Sequence, residues 1–243
     1  MKILIIRHAD PDYENDTLTS QGWKEAELLS ERVSKMDIRD FYVSPLGRAR
    51  DTASLTLKKM GREAEECEWL REFAPQIHRP DREGLSIVWD WLPQDWTKVE
   101  AFYDKDAWKE YGIMQEGKVA EEYEWVAGSF DAVLAKYGYV REGNYYRVLK
   151  SNGDTIAFFC HFGLECVLLS HLLGISPMAL WHGTCAAPSS VTTLVTEERR
   201  QGIASFRMGS FGDVAHLYMA GEQPSFSARF CERFENEYER HDA

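Results

Sequence analysis

Two apolar segments of the sequence each end at a histidine, and the first of these histidines follows an arginine. The segment over residues 2–6 ends at Arg7-His8, and the segment over residues 155–160 ends at His161. An arginine and a histidine released together from a buried strand are unfavourable unless an anion binds beside them. Ligands of open α/β sheets bind at the carboxyl ends of the strands. The pattern therefore predicts an anion site that contains Arg7, His8 and His161.

Arg48 and Glu72 follow two further predicted strands. Residues 41–43 are apolar and precede Ser44-Pro45, a pair typical of a helix N-cap and its first turn. Arg48 then lies in the first turns of the predicted helix, close to a strand end, which favours a role in the site over a solvated surface charge. Glu72 comes just after a weaker predicted strand that ends at Trp69-Leu70.

Strands and helices alternate along the chain, which predicts an α/β protein. Helices are expected after Thr19-Ser20, after Ser44, and from Leu164 to Leu172, where apolar residues recur at helical spacing. Residues 145–149 and 155–160 are expected to pair as a β-hairpin, and residues 229–243 to form an amphipathic helix with Phe230 and Phe234 inward. The predicted fold is a three-layer α/β/α sandwich with a mostly parallel central sheet.

Residues 73–140 differ in composition from the rest of the chain. Five of the eight tryptophans lie between Trp89 and Trp125, acidic residues are frequent, and the pattern is mainly helical. At 243 residues the chain is long for one average domain and short for two. We therefore expect one domain, residues 1–243, in which residues 73–140 form a helical cap insertion over the strand ends.

The ordered motifs resemble those of the histidine phosphatase superfamily, also called the phosphoglycerate mutase-like family. The matching residues, in order, are Arg7-His8-Ala9, Leu18-Thr19 with Gly22, Ser44-Pro45-Leu46 with Arg48-Ala49 and Thr52-Ala53, Leu70 with Glu72, His161 with Gly163, Ser190-Val191-Thr192, and Asp213 before Ala215-His216-Leu217. Each piece alone is weak, but their order over residues 2–217 makes the resemblance specific. Ala9 and Phe162 depart from it, since glycine is more usual after each histidine, and the Phe162 ring is expected to narrow or line the pocket.

The resemblance implies a phosphatase that hydrolyses a small phosphomonoester through a phosphohistidine intermediate on His8. It implies that Arg7, Arg48 and His161 bind the phosphate and that Glu72 is the general acid, with Asp10 and Asp213 as alternatives. His216 is left as a residue that orients loops or packs, and His171 and His182 are interpreted as structural. Two other functions stay open: phosphotransfer of the phosphoglycerate mutase type, and a phosphate-binding regulatory module without turnover.

Composition limits the partners and cofactors. The net charge of −12 argues against nucleic acid and anionic membranes, whereas a local arginine cluster can still attract a small phosphorylated substrate. No zinc-ligand spacing is present, so neither a metal nor another cofactor is expected.

Five cysteines without a CxxC pair indicate free thiols in a reducing compartment. Residues 156–175 are mostly apolar but contain two histidines and a glutamate, which disfavours a membrane span. With no recognisable signal peptide, a cytoplasmic location is expected.

Overall fold

The computed structural model describes residues 1–226 and 231–240. The strands are β1 (Lys2–Arg7), β2 (Pro11–Asp12), β3 (Thr17–Leu18), β4 (Asp40–Val43), β5 (Glu65–Glu66), β6 (Gln76–His78), β7 (Leu85–Ile87), β8 (Tyr139–Glu142), β9 (Tyr145–Val148), β10 (Thr155–Cys160), β11 (Val191–Arg200), β12 (Ile203–Asp213), β13 (Glu232–Arg233) and β14 (Asn236–Arg240). The helices are α1 (Ser20–Val33), α2 (Gly47–Met60), α3 (Pro93–Trp96), α4 (Gly112–Glu116), α5 (Val119–Lys136), α6 (Phe162–Leu173), α7 (Pro177–Gly183) and α8 (Ala215–Met219), with 3-10 helices at Glu68–Leu70, Glu100–Tyr103 and Ala107–Glu110.

An eight-stranded sheet in the order β5-β4-β10-β1-β11-β12-β9-β8 forms the centre of the fold. The first four strands in this order pair in parallel, and the remaining neighbours pair antiparallel. The predicted α/β class with a central sheet flanked by helices is confirmed. The parallel part holds both predicted histidine strands side by side, with Arg7 opposite Cys160 in the register. His8 and His161 therefore leave the sheet next to one another.

Alternating side chains of the central strands supply two separate apolar layers. On β10, Phe158 belongs to the layer that contains Trp69 and Phe130, whereas Phe159 belongs to the layer that contains Leu29 and Phe41. This alternation follows from the two-residue period of a strand, which sends neighbouring side chains to opposite faces. Helices α1 and α2 consequently cover one face, and α5 and α6 cover the other.

The helices that carry site residues begin and end at the residue types expected for helix caps. The Thr19 hydroxyl accepts a hydrogen bond from the backbone N–H of Gly22 at 3.0 Å and so caps α1. Helix α2 ends at Gly61 and α6 ends at Gly174, both left-handed residues that glycine adopts without strain. The apolar run over residues 156–175 is divided between β10 and α6. Within the described ranges, no helix combines the length and the apolar character that crossing a bilayer requires.

Residues 73–140 contain a small hairpin, short helices and one long helix. Strands β6 and β7 pair antiparallel, and α5 lies on the sheet, where Phe130 meets Phe158 edge to face at 5.4 Å. Trp108 is fully buried and packs against Trp181 at 5.7 Å. At least part of this segment therefore builds the main apolar core, and its role as a cap over the strand ends stays a prediction.

Three local predictions are wrong. Residues 68–70 form a 3-10 helix rather than the end of a strand. Strand β9 pairs with β8 and β12, because β10 lies between β1 and β4 and has no free edge for it. The β8–β9 turn, Gly143-Asn144, is a two-residue hairpin sequence that could have predicted this pairing. Residues 232–240 form a hairpin instead of a helix, with Phe234 exposed, and Phe230 lies outside the described residues.

Candidate active site

His8 lies at the carboxyl end of β1 and is almost fully buried. Its backbone N–H donates to the carbonyl oxygen of Cys160 at 2.9 Å, and its own carbonyl accepts from the N–H of Ser189 at 3.0 Å. These bonds extend the strand pairing by one residue on each side. The His8 ring consequently faces the His161 ring, with 5.1 Å between the ring centroids.

One hydrogen bond fixes the tautomer of His8. Its Nδ1 lies 2.8 Å from the carbonyl oxygen of Ala9, and a carbonyl can only accept, so Nδ1 carries the proton. Burial, with the charges of Arg7 and Arg48, holds the pKa of His8 well below its usual value. At neutral pH the ring is therefore uncharged and the lone pair of Nε2 is available as a nucleophile.

Arg7 is buried beside His8 and is held by one side of its guanidinium group. Its Nη1 donates to the carbonyl oxygen of Ala186 at 2.5 Å, and Cζ lies 5.7 Å from the centre of the Phe162 ring. Its Nε is buried and has no acceptor within the described residues. Buried polar atoms are almost always hydrogen-bonded, so this unsatisfied guanidinium N–H is a donor that an anion can use.

Arg48 shows the same arrangement from the first turn of α2. Its Nη1 donates to Oδ1 of Asp16 at 2.7 Å, while its buried Nε has no acceptor in the described chain. Oδ2 of Asp16 accepts from the backbone N–H of Gly47 at 2.7 Å. Glycine is required at position 47, because a Cβ there would lie 1.9 Å from the carbonyl oxygen of Asp16. The loop between β2 and β3 thereby fixes the direction of the guanidinium group.

His161 precedes α6 and is fully buried. Its Nε2 lies 2.8 Å from Oγ of Ser44, which itself accepts from the N–H of Leu46 at 3.3 Å. When the Ser44 hydroxyl donates to Nε2, Nδ1 of His161 carries the proton. This Nδ1 is buried without a partner among the described residues. Burial, followed by the fields of His8, Arg48 and Arg7, holds the pKa of His161 well below its usual value, so the ring is a neutral donor.

Glu72 meets the amino end of α6. Its Oε1 accepts from the N–H groups of Phe73 at 2.8 Å and Leu164 at 2.9 Å, and its Oε2 accepts from the N–H of Gly163 at 3.4 Å. Burial raises the pKa of Glu72 above its usual value, although the Phe73 N–H and the charge of Arg7 oppose this shift. A carboxyl group with a raised pKa is suited to act as a general acid.

Gly163 allows Glu72 and the indole of Trp89 to approach α6. A Cβ at this position would lie 2.7 Å from Oε1 of Glu72 and 2.6 Å from Nε1 of Trp89, which donates to the carbonyl of Phe73 at 2.8 Å. The Trp89 ring also meets the Phe162 ring edge to face, with 6.1 Å between centroids. Phe162 thus packs between Trp89 and Arg7 beside the site.

The two alternative acids have other partners. Oδ2 of Asp10 accepts from the hydroxyl of Thr19 at 2.5 Å, and Asp213 forms an ion pair with Arg32 at 3.0 Å. Neither shares a described contact with Arg7, His161 or α6, whereas Glu72 accepts from two N–H groups of α6 and interacts with the charge of Arg7. Their positions favour Glu72 over Asp10 and Asp213.

The remaining histidines have structural contacts. His216 Nε2 lies 3.1 Å from Oγ of Ser189, the residue whose N–H bonds to His8, so His216 braces the loop behind the site. His171 pairs with Asp131 at 2.9 Å. His182 accepts from the N–H of Trp91 at 2.9 Å and lies within α7.

Sequence reasoning missed two acidic residues near the site. Asp16 binds Arg48, and nothing in its neighbourhood in the sequence indicates this contact. Glu165 is buried in α6 four residues after His161, a spacing that places both on one side of a helix. Burial raises the pKa of Glu165 to about 7, against the opposing effects of Thr192 and Arg7. Across the described residues, no three His, Cys, Asp or Glu side chains group as metal ligands.

The fold and these contacts define an α/β protein with two histidines and two arginines gathered at adjacent parallel strand ends. The family model of the histidine phosphatase superfamily (branch 1) matches residues 3–208. The chain belongs to this superfamily.

Two curated relatives match over shorter stretches. A 2,3-bisphosphoglycerate-dependent phosphoglycerate mutase of Thermoplasma acidophilum is 36% identical in a 66-residue alignment that covers 23% of this chain and 33% of the relative. The mitochondrial serine/threonine-protein phosphatase Pgam5 of Drosophila yakuba is 31% identical in a 117-residue alignment that covers 42% of this chain and 38% of the relative. The chain thus spans 33% and 38% of the lengths of these two relatives.

Solved structures match over most of the chain. A phosphoserine phosphatase of Entamoeba histolytica, in complex with 3-phosphoglyceric acid, has a TM-score of 0.56 at 17% identity and covers 89% of this chain and 98% of its own. A mycobacterial glucosyl-3-phosphoglycerate phosphatase has a TM-score of 0.56 at 18% identity, covering 87% and 98%. At these identities the likeness establishes the fold.

Proposed function

We propose that the protein is a phosphatase that hydrolyses a small phosphomonoester through a phosphohistidine on His8. One observation carries the proposal. The free Nε2 of a neutral His8 is accompanied by three buried, unsatisfied nitrogen atoms, which belong to Arg7, Arg48 and His161. This is the arrangement that a phosphoryl group needs: an in-line nucleophile with fixed donors for its oxygens.

In the first step, the phosphoryl oxygens accept hydrogen bonds from Nε of Arg7, Nε of Arg48 and Nδ1 of His161. The lone pair of His8 Nε2 forms the bond to phosphorus as the ester P–O bond breaks. The leaving oxygen takes a proton from the Glu72 carboxyl group, so an alcohol departs and Glu72 becomes a carboxylate.

In the second step, water replaces the alcohol. The Glu72 carboxylate removes a proton from this water as its oxygen attacks phosphorus, and the P–N bond breaks. His8 regains its lone pair, Glu72 regains its proton, and inorganic phosphate is released. Arg7 and Arg48 stay protonated throughout, and the site returns to its starting protonation state.

The arginines of residues 73–140 favour hydrolysis over mutase-type phosphotransfer. A mutase needs further cations to hold the second anionic group of its substrate while the substrate is reoriented. Arg79 is buried in a two-pronged pair with Asp81 and also donates to the Trp89 carbonyl at 2.7 Å, so its donors are occupied. Arg82 is exposed and pairs with Asp90 at 3.5 Å. The relatives include both phosphatases and a mutase. Because Arg79 and Arg82 already pair with carboxylates, their contacts support the phosphatase.

The cellular setting is part of the same proposal. Cys67, Cys160 and Cys166 are buried thiols, which fits a reducing compartment. A cytoplasmic enzyme that acts on a small phosphorylated metabolite without a metal or other cofactor, and without nucleic acid or membrane partners, is consistent with these features and with the acidic surface.

Hydrolysis of 4-nitrophenyl phosphate tests the proposal. We expect turnover that EDTA does not lower and that vanadate inhibits, since vanadate can take five-coordinate geometry in the phosphoryl pocket. A protein that binds vanadate but does not turn over the ester would be the regulatory module. Activity lost in EDTA and restored by a divalent ion would contradict the metal-independent mechanism.

A further inference from the structure

Glu165 is a fully buried carboxyl group that the proposed reaction does not use. It lies in α6, whose other buried residues are mostly apolar. Neither of its carboxyl oxygens has a hydrogen-bond partner of good geometry among the described residues. A buried carboxyl group without such partners lowers the stability of a fold, so packing alone does not explain a glutamate at this position.

The pairing of the strands places Glu165 on the same side of the sheet as Arg7. Thr192 is opposite Ile5 in the β1–β11 register, and Arg7 follows Ile5 by two residues, so the side chains of Arg7 and Thr192 point to one face. Glu165 interacts with both, since the Thr192 hydroxyl and the Arg7 charge lower its pKa against the larger effect of burial. Its backbone N–H also donates to the carbonyl of His161 at 2.9 Å. The carboxyl group is thus fixed next to the phosphate-binding residues, within range of the Arg7 charge.

The other titratable groups that interact with Glu165 are one carboxyl group and two thiols. These belong to Glu72, Cys160 and Cys166. Burial raises the pKa of both thiols well above their usual value, so they stay neutral. Burial raises the pKa of Glu165 to about 7, Arg7 opposes this shift and Glu72 adds to it. Glu165 therefore changes its charge near neutral pH, while Arg7 stays positive.

We propose that Glu165 is a positioning residue that acts through Arg7: as a neutral acid it leaves the Arg7 charge to the bound phosphoryl group, and as a carboxylate it competes with that group for Arg7. This inference rests on the proposed function, in which Arg7 binds the phosphate. Binding of a dianion and ionisation of Glu165 then oppose each other. By linkage, the protein takes up a proton when an anion binds near neutral pH.

This effect differs from the loss of the Glu72 proton at high pH. Ionisation of Glu165 weakens anion binding by a limited factor, after which the affinity is constant again. Loss of the general acid lowers kcat/KM continuously as pH rises. Anion binding, measured without turnover in a Glu72→Gln background, therefore isolates the effect of Glu165.

Sulfate is a suitable probe, because it resembles the phosphoryl group and stays a dianion between pH 6 and pH 8.5. Isothermal titration calorimetry in two buffers of different ionisation enthalpy gives both the Kd and the proton uptake, and displacement by vanadate shows that sulfate occupies the pocket. In Glu72→Gln we expect the Kd to rise about five- to tenfold from pH 6 to pH 8.5, with about half a proton taken up per sulfate at pH 7.5. Addition of Glu165→Gln should keep the Kd low at pH 8.5 and remove most of this uptake.

Three further variants, each in the Glu72→Gln background, complete the test. Glu165→Asp should retain most of the pH dependence, and Glu165→Leu, which suits the apolar surroundings, should behave like Glu165→Gln if the amide is not accommodated. Glu25→Gln is the matched control. Glu25 is also buried, with a pKa raised to about 7, but its carboxyl group accepts from the N–H groups of Asp10 and Ser225. Its substitution should leave the pH dependence of the Kd unchanged.

The outcomes separate this inference from the proposed function. An equal rise of the Kd with pH, with and without the Glu165 carboxyl group, would overturn the inference while the phosphate pocket stands. Weaker sulfate binding by the same factor at every pH in Glu165→Gln and Glu165→Leu would show a merely structural role and would also overturn it. If the predicted pH dependence is found but the wild type does not hydrolyse 4-nitrophenyl phosphate, the proposed phosphatase fails and the coupling stands. Absence of sulfate binding to every variant would contradict the pocket and the inference together.

Discussion

Arg48 is held by one side of its guanidinium group and presents the other side to the site. Asp16 occupies Nη1 at 2.7 Å, and Nε is buried without an acceptor in the described chain. A fixed donor to a transition-state oxyanion contributes about 3 kcal/mol, roughly a hundredfold in kcat. We expect Arg48→Ala to lose at least this factor and Arg48→Lys to recover only part of it, because lysine has the charge without the planar donor pair. Steady-state kinetics with 4-nitrophenyl phosphate measures both.

Asp12 offers the matched control for this prediction. It is the last residue of β2, just before the loop that contains Asp16, and its side-chain oxygens accept from Glu14 and Asn15. Asp12→Asn should keep kcat near the wild-type value. A normal kcat in the Arg48→Lys variant would mean that Arg48 supplies a general positive field and not a directed hydrogen bond.

Glu72 is expected to set the alkaline limit of activity. Its pKa is raised by burial, and the acid form is the active one in the first step, so kcat/KM should fall as pH rises through this raised pKa. His8, whose pKa is lowered, is already neutral over the same range and contributes no limit there.

For alkyl phosphates, whose leaving groups need a proton, Glu72→Gln should lower kcat about a hundredfold or more and remove the alkaline slope. For 4-nitrophenyl phosphate the loss should be smaller, since nitrophenolate leaves without a proton.

The same pH profiles of Asp10→Asn and Asp213→Asn decide between the three carboxyl groups. Both variants should keep the alkaline slope, because these residues bind Thr19 and Arg32. If the alkaline slope of kcat/KM disappeared in one of these variants and persisted in Glu72→Gln, the substituted aspartate would be the general acid instead of Glu72.

At the scale of elements, the start of α6 brings together a histidine, a carboxyl group and an indole. This requires Gly163, because a Cβ would lie within 2.8 Å of both Glu72 and Trp89 atoms. We expect Gly163→Ala to push the Glu72 carboxyl group from the helix end and to lower kcat for alkyl phosphates by roughly tenfold or more. Vanadate affinity should change less, since Arg7 and Arg48 do not touch this glycine.

Gly128, in the middle of α5, is the control for the glycine substitution. A Cβ there meets nothing within 4 Å, so Gly128→Ala should raise stability by about 0.5–1 kcal/mol through helix propensity and leave kcat unchanged. Equal kinetics of the two alanine variants would show that the close contact at α6 has no catalytic consequence.

The elements differ in how well their sequences predict them. Strands β1 and β10 are nearly continuous apolar runs, so the pairing that places His8 beside His161 was predictable. Strand β9 was assigned to the wrong partner, because its four residues, Tyr145 to Val148, do not by themselves specify which sheet edge they join. The Asp16 contact with Arg48 depends on the path of the β2–β3 loop. A loop has no repeating apolar pattern from which its path could be predicted.

At the scale of the whole molecule, Glu165 makes stability depend on pH. Its pKa of about 7 lies above the value of about 4.5 for an unfolded chain, so the folded state holds an extra proton between these values. The resulting stabilisation is complete below pH 4.5 and is lost as pH rises through 7. The shift corresponds to at most about 3 kcal/mol. We expect Glu165→Gln to become more stable relative to the wild type as pH rises from 5.5 to 8.5, as measured by urea unfolding.

Comparison with the variant is needed because other buried groups titrate in the opposite direction. His216 and His182 have pKa values lowered to about 4, which reduces stability in acid for both proteins alike. Glu63→Gln, at an exposed position, should show no such trend. A constant difference between Glu165→Gln and the wild type at all pH values would contradict the role of Glu165.

The central claim, a covalent phosphohistidine on His8, has a direct measurement. The enzyme is mixed with substrate and quenched during turnover in alkaline denaturant, which preserves the P–N bond, and its peptides are analysed by mass spectrometry. The account predicts a phosphoryl group on His8, absent from His8→Ala, which should retain its fold and lose roughly 10³-fold or more in kcat. Turnover without phosphate on His8, or a His8→Ala enzyme with near-normal kcat, would contradict it.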